Sequence, residues 1–417
     1  MKGEIITVGT ELLMGGILNT NVRYLSEQLI GAGVPVLYQV TVGDREEQIM
    51  EALRLALEHA DLVVMTGGLG PTADDVTKES AAKLLNLQLV EDAHTRERLN
   101  ESLHKSIGRK VTSNNWKQAV VISGAKILDN ESGTAPGEII ALPEGKKLIL
   151  LPGPPEEMKQ IFRDGVKPAL NAEENVSFLT RVVKIAGISE SMVATKLGDL
   201  TEEGANPNIA TYARIGQVDV RITARAANAE EAEKLLKPVM KKIRVRFGNA
   251  IFTNNEEDTL ESVVVELLKK RGKKIATAES CTGGLLAGRI VNVPGASQVF
   301  EEGIVSYSNK AKQKTLGVKK GTLKEEGAVS EKTAAEMAKG ICRETKAQVG
   351  VSVTGIAGPD GGSKKKPVGL VFIGCCIDGR VTVEEYRFDG TRDKVRERSV
   401  KAALDLVRRS LQTEDKA

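Results

Sequence analysis

The stretch LVVMTGGLGPTADDVTKES (Leu62–Ser80) decides the fold. Leu62 to Met65 read as a buried strand, Gly67, Gly68 and Gly70 as a tight turn, and the residues after Asp75 as the start of a helix. A strand that passes through a glycine turn into a helix is one half of a crossover between parallel strands. The same alternation extends in both directions. EIITVG (4–9) is an apolar strand, 22–31 and 45–59 are amphipathic helix patterns, and VPVLYQVTV (34–42) reads as a further buried strand. IIALP and KLILLPG continue the sheet, and a helix begins after Pro154 and Pro155, with proline in its first turn. Residues 1–171 are expected to form a parallel sheet with helices on both faces.

The glycine turn also carries chemistry. Glycines let the backbone approach a ligand closely, and the amino end of the following helix favours phosphate. Asp74 and Asp75 would repel a bare phosphate there. A divalent cation between carboxylate and phosphate removes the conflict, so the pattern points to a metal-dependent phosphoanhydride site. Asp44, at another strand-to-helix junction (VGDR), can converge on the same crevice at the carboxyl edge of the sheet. A plainer reading competes, in which Asp75 only caps a helix and Gly67 and Gly68 only make a turn.

Beyond 171 the pattern changes. RVVKIAGI, a helix from about 189 to 200, a hairpin over 208–226 and a long helix from 228 to about 247 predict a small α+β unit over 172–256. The last block, 257–417, opens with a helix (258–271) and a strand ending in KKIATAES. It closes with a helix (391–412) that places Val395, Val400, Leu404, Val407 and Leu411 on one face.

In this block TAESCTGG (277–284) again joins a strand to a helix. Ser280 sits on the turn, and the amides of Thr282, Gly283 and Gly284 can hold an oxyanion or a phosphate. IVSYSNKAKQ supplies Tyr307, Lys310 and Lys312, and VTGIAGPDGG (353–362) is a third glycine-rich turn. The chain has three histidines, His59, His94 and His104, so nothing after residue 104 can use imidazole. A serine still needs a proton acceptor. Lysine substitutes when burial depresses its pKa, with Tyr307 placed to pass the proton. Cys281 is the competing nucleophile but lacks a histidine partner. TAESCTGG by itself also fits a turn with small packing residues.

Composition bounds the rest. A chain of 417 residues exceeds one core, so two or three domains are expected. The net charge of +3 demands no polyanionic partner, and the apolar runs are too short to cross a bilayer. MKGEIITVGTELLMGG lacks the features of a signal peptide, which implies the cytosol. Cys281, Cys342, Cys375 and Cys376 form no CxxC pair and read as reduced, mostly buried thiols. The basic run Lys234, Lys237, Lys241, Lys242, Arg244, Arg246 reads as a solvated helix face.

GTELLMGGILNTN (9–21), TGGLGPTADDVTKES, GTAPG (133–137) and LLPGPPEEM (150–158) resemble the molybdopterin-binding fold as it occurs in the CinA family, the competence/damage-inducible proteins. That resemblance implies ADP-ribose pyrophosphatase activity with a divalent metal (Mg, Mn or Co). It makes Asp44 and Asp75 the metal-linked residues, Asp75 also catalytic, and Thr10, Glu11, Asn21, Gly67 and Gly68 ligand contacts. The middle block resembles the KH-like linker domain of longer members, without the GxxG loop that holds nucleic acid. TAESCTGG, YSNKAK, GAVSEKT (327–333) and TGIAGPDGG…KPVG resemble, in order, the carboxy-terminal CinA domain, itself similar to nicotinamide-nucleotide amidases.

The implied domains are 1–171 (molybdopterin-binding-like), 172–256 (KH-like linker) and 257–417 (nicotinamide mononucleotide deamidase, α/β). Ser280, Tyr307 and Lys312 become catalytic, with Thr282, Gly283, Gly284, Thr354 and Gly355 at the substrate and no cofactor. The implied partners are small nucleotides and a second copy in a homodimer, with no membrane and no nucleic acid. Two rival readings stay open: a molybdopterin-assembly enzyme acting on a pterin phosphate, and a nucleic-acid-binding competence or recombination protein.

Overall fold

Strands covered on both faces read as unbroken apolar runs, and Gly3–Val8 and Leu62–Thr66 are buried at every position. They belong to a computed structural model that describes residues 1–105, 113–173, 177–202 and 204–413. The chain divides into two units, Met1–Leu179 with Ala224–Lys234, and Thr180–Thr223 with Leu235–Ala417.

The strands of the first are β1 (Gly3–Val8), β2 (Val36–Val42), β3 (Leu62–Thr66), β4 (Leu89–Glu91), β5 (Val120–Ile122), β6 (Lys126–Leu128), β7 (Gly137–Ala141) and β8 (Lys147–Leu151). Six of them form one sheet in the order β2-β1-β3-β8-β7-β6, and β4 pairs with β5. The expected parallel arrangement holds for β2, β1, β3 and β8. β7 and β6 are antiparallel additions, because the connection Leu142–Lys146 between β7 and β8 is too short for a crossover. VPVLYQVTV departs from its expected burial. β2 is an edge strand, with Leu37, Tyr38 and Gln39 exposed.

Successive residues of β1 serve opposite faces. Ile5 packs with Leu25, Leu29 and Phe162, whereas Ile6 packs with Ile49, Leu53 and Ala56. The flanking helices are Thr20–Gly31, started by the Asn19 side chain accepting the Val22 N–H at 3.2 Å, and Glu46–His59.

β9 (Ser177–Ala186), β10 (Asn208–Arg214), β11 (Gln217–Ala226) and β12 (Ile251–Thr253), which apart from the first residues of β9 and the last of β11 belong to the second unit, form a sheet in the order β10-β11-β9-β12. A second sheet holds β13 (Ile275–Glu279), β14 (Phe300–Val305), β15 (Val349–Gly355), β16 (Leu370–Ile377) and β17 (Arg380–Arg387) in the order β14-β13-β15-β16-β17. β13 is parallel to both neighbours, which brings the ends of β14, β13 and β15 to one edge. In the basic run, Arg246 bonds the Lys196 and Leu197 carbonyls at the end of the helix Glu190–Leu197. Among the described residues no helix is long and apolar enough to cross a membrane.

The last helix, Arg392–Thr413, buries Val395, Val400, Leu404, Val407 and Leu411, as its periodicity predicts. It also buries Arg408 completely. The guanidinium bonds Asp405 Oδ1 at 2.7 Å, Asn249 O at 2.7 Å and Gln412 Oε1 at 2.9 Å. Arg408→Ala leaves Asp405 to Arg409 alone, whose Nε donates to Oδ2 at 2.8 Å, and takes the donors from Asn249 O and Gln412 Oε1, so it is expected to cost roughly 1–3 kcal/mol. Urea unfolding checks this; a midpoint equal to wild type would show that Arg409 alone suffices for Asp405.

Candidate active sites

At the end of β13 the chain turns sharply after Glu279. Ser280 donates its N–H to Val353 O on β15 at 2.9 Å, and Ser306 donates to Glu279 O at 2.8 Å. The turn is thereby pinned from both neighbouring strands. The helix Asn309–Leu316 starts on the Ser308 side chain, which accepts the Ala311 N–H at 3.1 Å. One turn into it lies Lys312, 1 % exposed. Its Nζ is 2.9 Å from Ser280 Oγ, 2.7 Å from Ser306 O and 3.3 Å from Tyr307 O.

Burial pushes the Lys312 ammonium down to about 8. Carbonyl oxygens only accept hydrogen bonds. A neutral Lys312 therefore keeps its two N–H groups on Ser306 O and Tyr307 O and turns its lone pair to the Ser280 hydroxyl. The neighbouring thiol goes the other way. Burial pushes Cys281 up to about 11, which keeps it protonated and a poor nucleophile.

The expected role of the Gly283 and Gly284 amides is corrected by the structure. Glu279 Oε2 accepts the N–H groups of Gly284 and Leu286, each at 3.0 Å, and Oε1 accepts that of Ala287 at 2.8 Å. Gly283 N–H is spent on Ser280 O at 3.1 Å. The short helix Leu285–Val291 carries its own anion at its start, because a helix end shut off from water needs acceptors. Two hydroxyls of the same segments are left over. Thr282 Oγ1 and Ser306 Oγ are buried and have no hydrogen-bond partner among the described residues.

The proton relay through Tyr307 is corrected as well. Lys312 reaches Ser280 directly, whereas Tyr307 is 65 % exposed and its hydroxyl lies 3.5 Å from Arg392 Nη2. Thr354 Oγ1 donates to Ala328 O at 2.7 Å and so holds the GAVS loop in place. Gly355 ends β15 where a Cβ would meet Val371 Cγ2 at 2.6 Å. Sequence reasoning missed Arg392 and Arg396. Arg396 bonds Cys281 O at 3.1 Å and Thr282 O at 3.0 Å, and Arg392 bonds Gly358 O at 2.8 Å. Their spacing, one turn apart at the start of a long helix, was the available signal.

In the first unit the carboxyl ends of β1, β2, β3 and β8 share one edge, and the loops beyond them enclose a cavity of about 560 Å³. Glu11, Asn21, Asp44, Gly67, Gly68 and Asp75 all line it. Thr10 supports it from behind, its N–H donating to Asp44 Oδ2 at 2.7 Å. Gly67, at φ +104°, leaves no room for a side chain, since a Cβ would sit 2.1 Å from Val8 O. Asp75 does not cap the next helix, which begins at Thr77 without a side-chain cap. It folds back instead to accept the Thr72 N–H at 2.9 Å. Lys117, unread in the sequence, holds this loop through the Thr72 and Asp75 carbonyls.

Among the described residues five carboxylates, of Glu11, Asp44, Asp74, Asp75 and Glu157, line the cavity, and no lysine or arginine does. The described residues include no cluster of three or more acidic, histidine or cysteine groups fit to hold a metal alone. Hard oxygen donors in so small a number suit a magnesium-like cation that shares its shell with a ligand's phosphate.

Comparison with known proteins places each part. Residues 4–172 match the family described as "Probable molybdopterin binding domain", 180–253 the "Damage-inducible protein CinA KH domain", and 257–411 the "CinA C-terminal domain". A CinA-like protein of Kosmotoga olearia is 49 % identical over 411 residues, 99 % of each chain. A CinA-like protein of Dictyoglomus turgidum is 46 % identical over 411 residues, again 99 % of each. Among solved structures, the competence/damage inducible protein CihA from Agrobacterium tumefaciens is 42 % identical, covering 37 % of this chain and 93 % of that one at a TM-score of 0.36. Matched by such relatives over nearly all its length, the chain belongs to the CinA family.

Proposed function

We propose that the Ser280–Lys312 site hydrolyses the carboxamide of nicotinamide mononucleotide to nicotinate mononucleotide and ammonia. The observation that supports this most is a buried lysine, lowered to about 8, at 2.9 Å from a serine hydroxyl. Neutral Lys312 takes the Ser280 proton as Oγ attacks the carboxamide carbon. The unpartnered Thr282 hydroxyl is available to the developing oxyanion. Lys312 returns the proton to the departing nitrogen, and ammonia leaves an acyl-serine ester. Water, deprotonated by the same amine, then cleaves the ester and restores the Ser280 hydroxyl. Arg392, beside Tyr307 at the exposed side, offers a cation to the nucleotide phosphate.

For the first unit the proposed reaction is hydrolysis of ADP-ribose to AMP and ribose 5-phosphate. A cavity whose described lining has five carboxylates and no cationic side chain suits a diphosphate that arrives together with a cation. A divalent metal held by Asp44 and Asp75 would neutralise the diphosphate and polarise its phosphorus. Thr72 and Lys117 keep Asp75 in place, and Thr10 keeps Asp44. The test is incubation of the full chain with each nucleotide in magnesium, with products separated by chromatography. Nicotinate mononucleotide and AMP are expected; unchanged substrate in either reaction rejects that half of the reading.

A further inference from the structure

The cavity of the first unit holds two buried oxygens that nothing among the described residues satisfies. Asn21 is 9 % exposed and Gln118 3 % exposed, both line the cavity, and Asn21 Oδ1 and Gln118 Oε1 have no hydrogen-bond partner among the described residues. The orientation of Asn21 is fixed by its other atom. Asn21 Nδ2 donates to Gly153 O at 2.7 Å, and a carbonyl can only accept. Nδ2 also donates at 3.2 Å to Thr66 Oγ1, whose own proton goes to Pro152 O at 2.7 Å. Turning the amide over would set oxygen against oxygen, so Oδ1 stays without a partner. The segment Ser113–Ala119 that carries Gln118 is tied to the Thr72–Asp75 loop by Lys117.

A buried acceptor left without a donor is costly, so such oxygens await a partner. The chemistry of the ligand must supply it. A diphosphate brings no donors at neutral pH, and a cation prefers the carboxylates that line the same cavity to a neutral amide oxygen. Sugar hydroxyls are neutral donors and match neutral acceptors.

We infer that Asn21 Oδ1 and Gln118 Oε1 read hydroxyl groups of a ribose, which makes Gln118 a specificity-determining residue of this cavity. The inference rests on the ADP-ribose reading and assigns part of its recognition. Phosphates enter with the cation on the acidic side, while the amide oxygens select a hydroxylated sugar over a deoxygenated one.

The test measures affinity by calorimetry on the full chain in magnesium. The ligands are methylene-bridged ADP-ribose, which resists cleavage, and its two analogues lacking the 2-hydroxyl of one ribose or the other. Wild type is expected to bind one deoxy analogue about tenfold or more weakly. Gln118→Met, of similar length but without an acceptor, is expected to bring that ratio close to one. Gln118→Glu weakens all three ligands through its charge and keeps the ratio. Equal affinity of wild type for all three, or an unchanged ratio in Gln118→Met, overturns the inference and leaves the oxygens to water. Failure of wild type to bind any of the three overturns the ADP-ribose reading itself, and this inference with it.

Discussion

Ser280→Ala and Lys312→Met are each expected to slow ammonia release on the order of 10³-fold or more, since each removes half of one reacting pair. Neither change should do much to affinity for nicotinamide mononucleotide, which the phosphate and ring contacts set. Cys281→Ala should cost only a few-fold, because a thiol pushed up to about 11 has no thiolate to contribute. The pH dependence identifies the base. An ammonium has no lone pair, so the wild-type rate should climb with pH and level off above about 8, where Lys312 has lost its proton. The residual rate of Lys312→Met should show no such step. Ammonia release by the three variants, each checked for folding by circular dichroism, decides the matter. A dead Cys281→Ala beside an active Ser280→Ala would reverse the assignment.

The second large effect belongs to the other unit. EDTA is expected to stop ADP-ribose cleavage and to leave deamidation untouched, because no step at Ser280 calls on a cation. Asp75→Asn should reproduce the chelator on ADP-ribose, by on the order of 10²-fold or more. The variant keeps an acceptor for the Thr72 N–H, so the loop it closes should survive. AMP formation and ammonia release measured on one sample give both readouts. Loss of both activities in EDTA would place a metal in the serine site and discard the mechanism drawn for it.

Much of this was legible because strand period and glycine turns are local signals. LVVMTGG and the 391–412 helix carry their burial in their spacing, and the structure follows them. VPVLYQVTV was misread because an edge strand and a central one share the same apolar composition, and only the neighbours tell them apart. At the sites, residue types predicted the partners but not which atoms were free. The pairing of Ser280 with Lys312 was readable from the lack of histidine. The use of the Gly284, Leu286 and Ala287 amides by Glu279 was not, since a glutamate before a turn has many other places to point. Gln118 stayed hidden for a similar reason, as nothing in WKQA says which side chain faces inward.

The wiring of the Ser280 turn has a consequence for how the domain acquires its reactivity. Its closing bonds, from Glu279 to Gly284, Leu286 and Ala287, span at most eight residues. Contacts so local need little loop closure and can form early in folding. The lysine comes from 32 residues away, and its low proton affinity exists only once water has been shut out around it. A chain in which that packing has not formed therefore carries a serine as inert as any other. Chemical competence arrives last, with the packing that also protects it from the solvent.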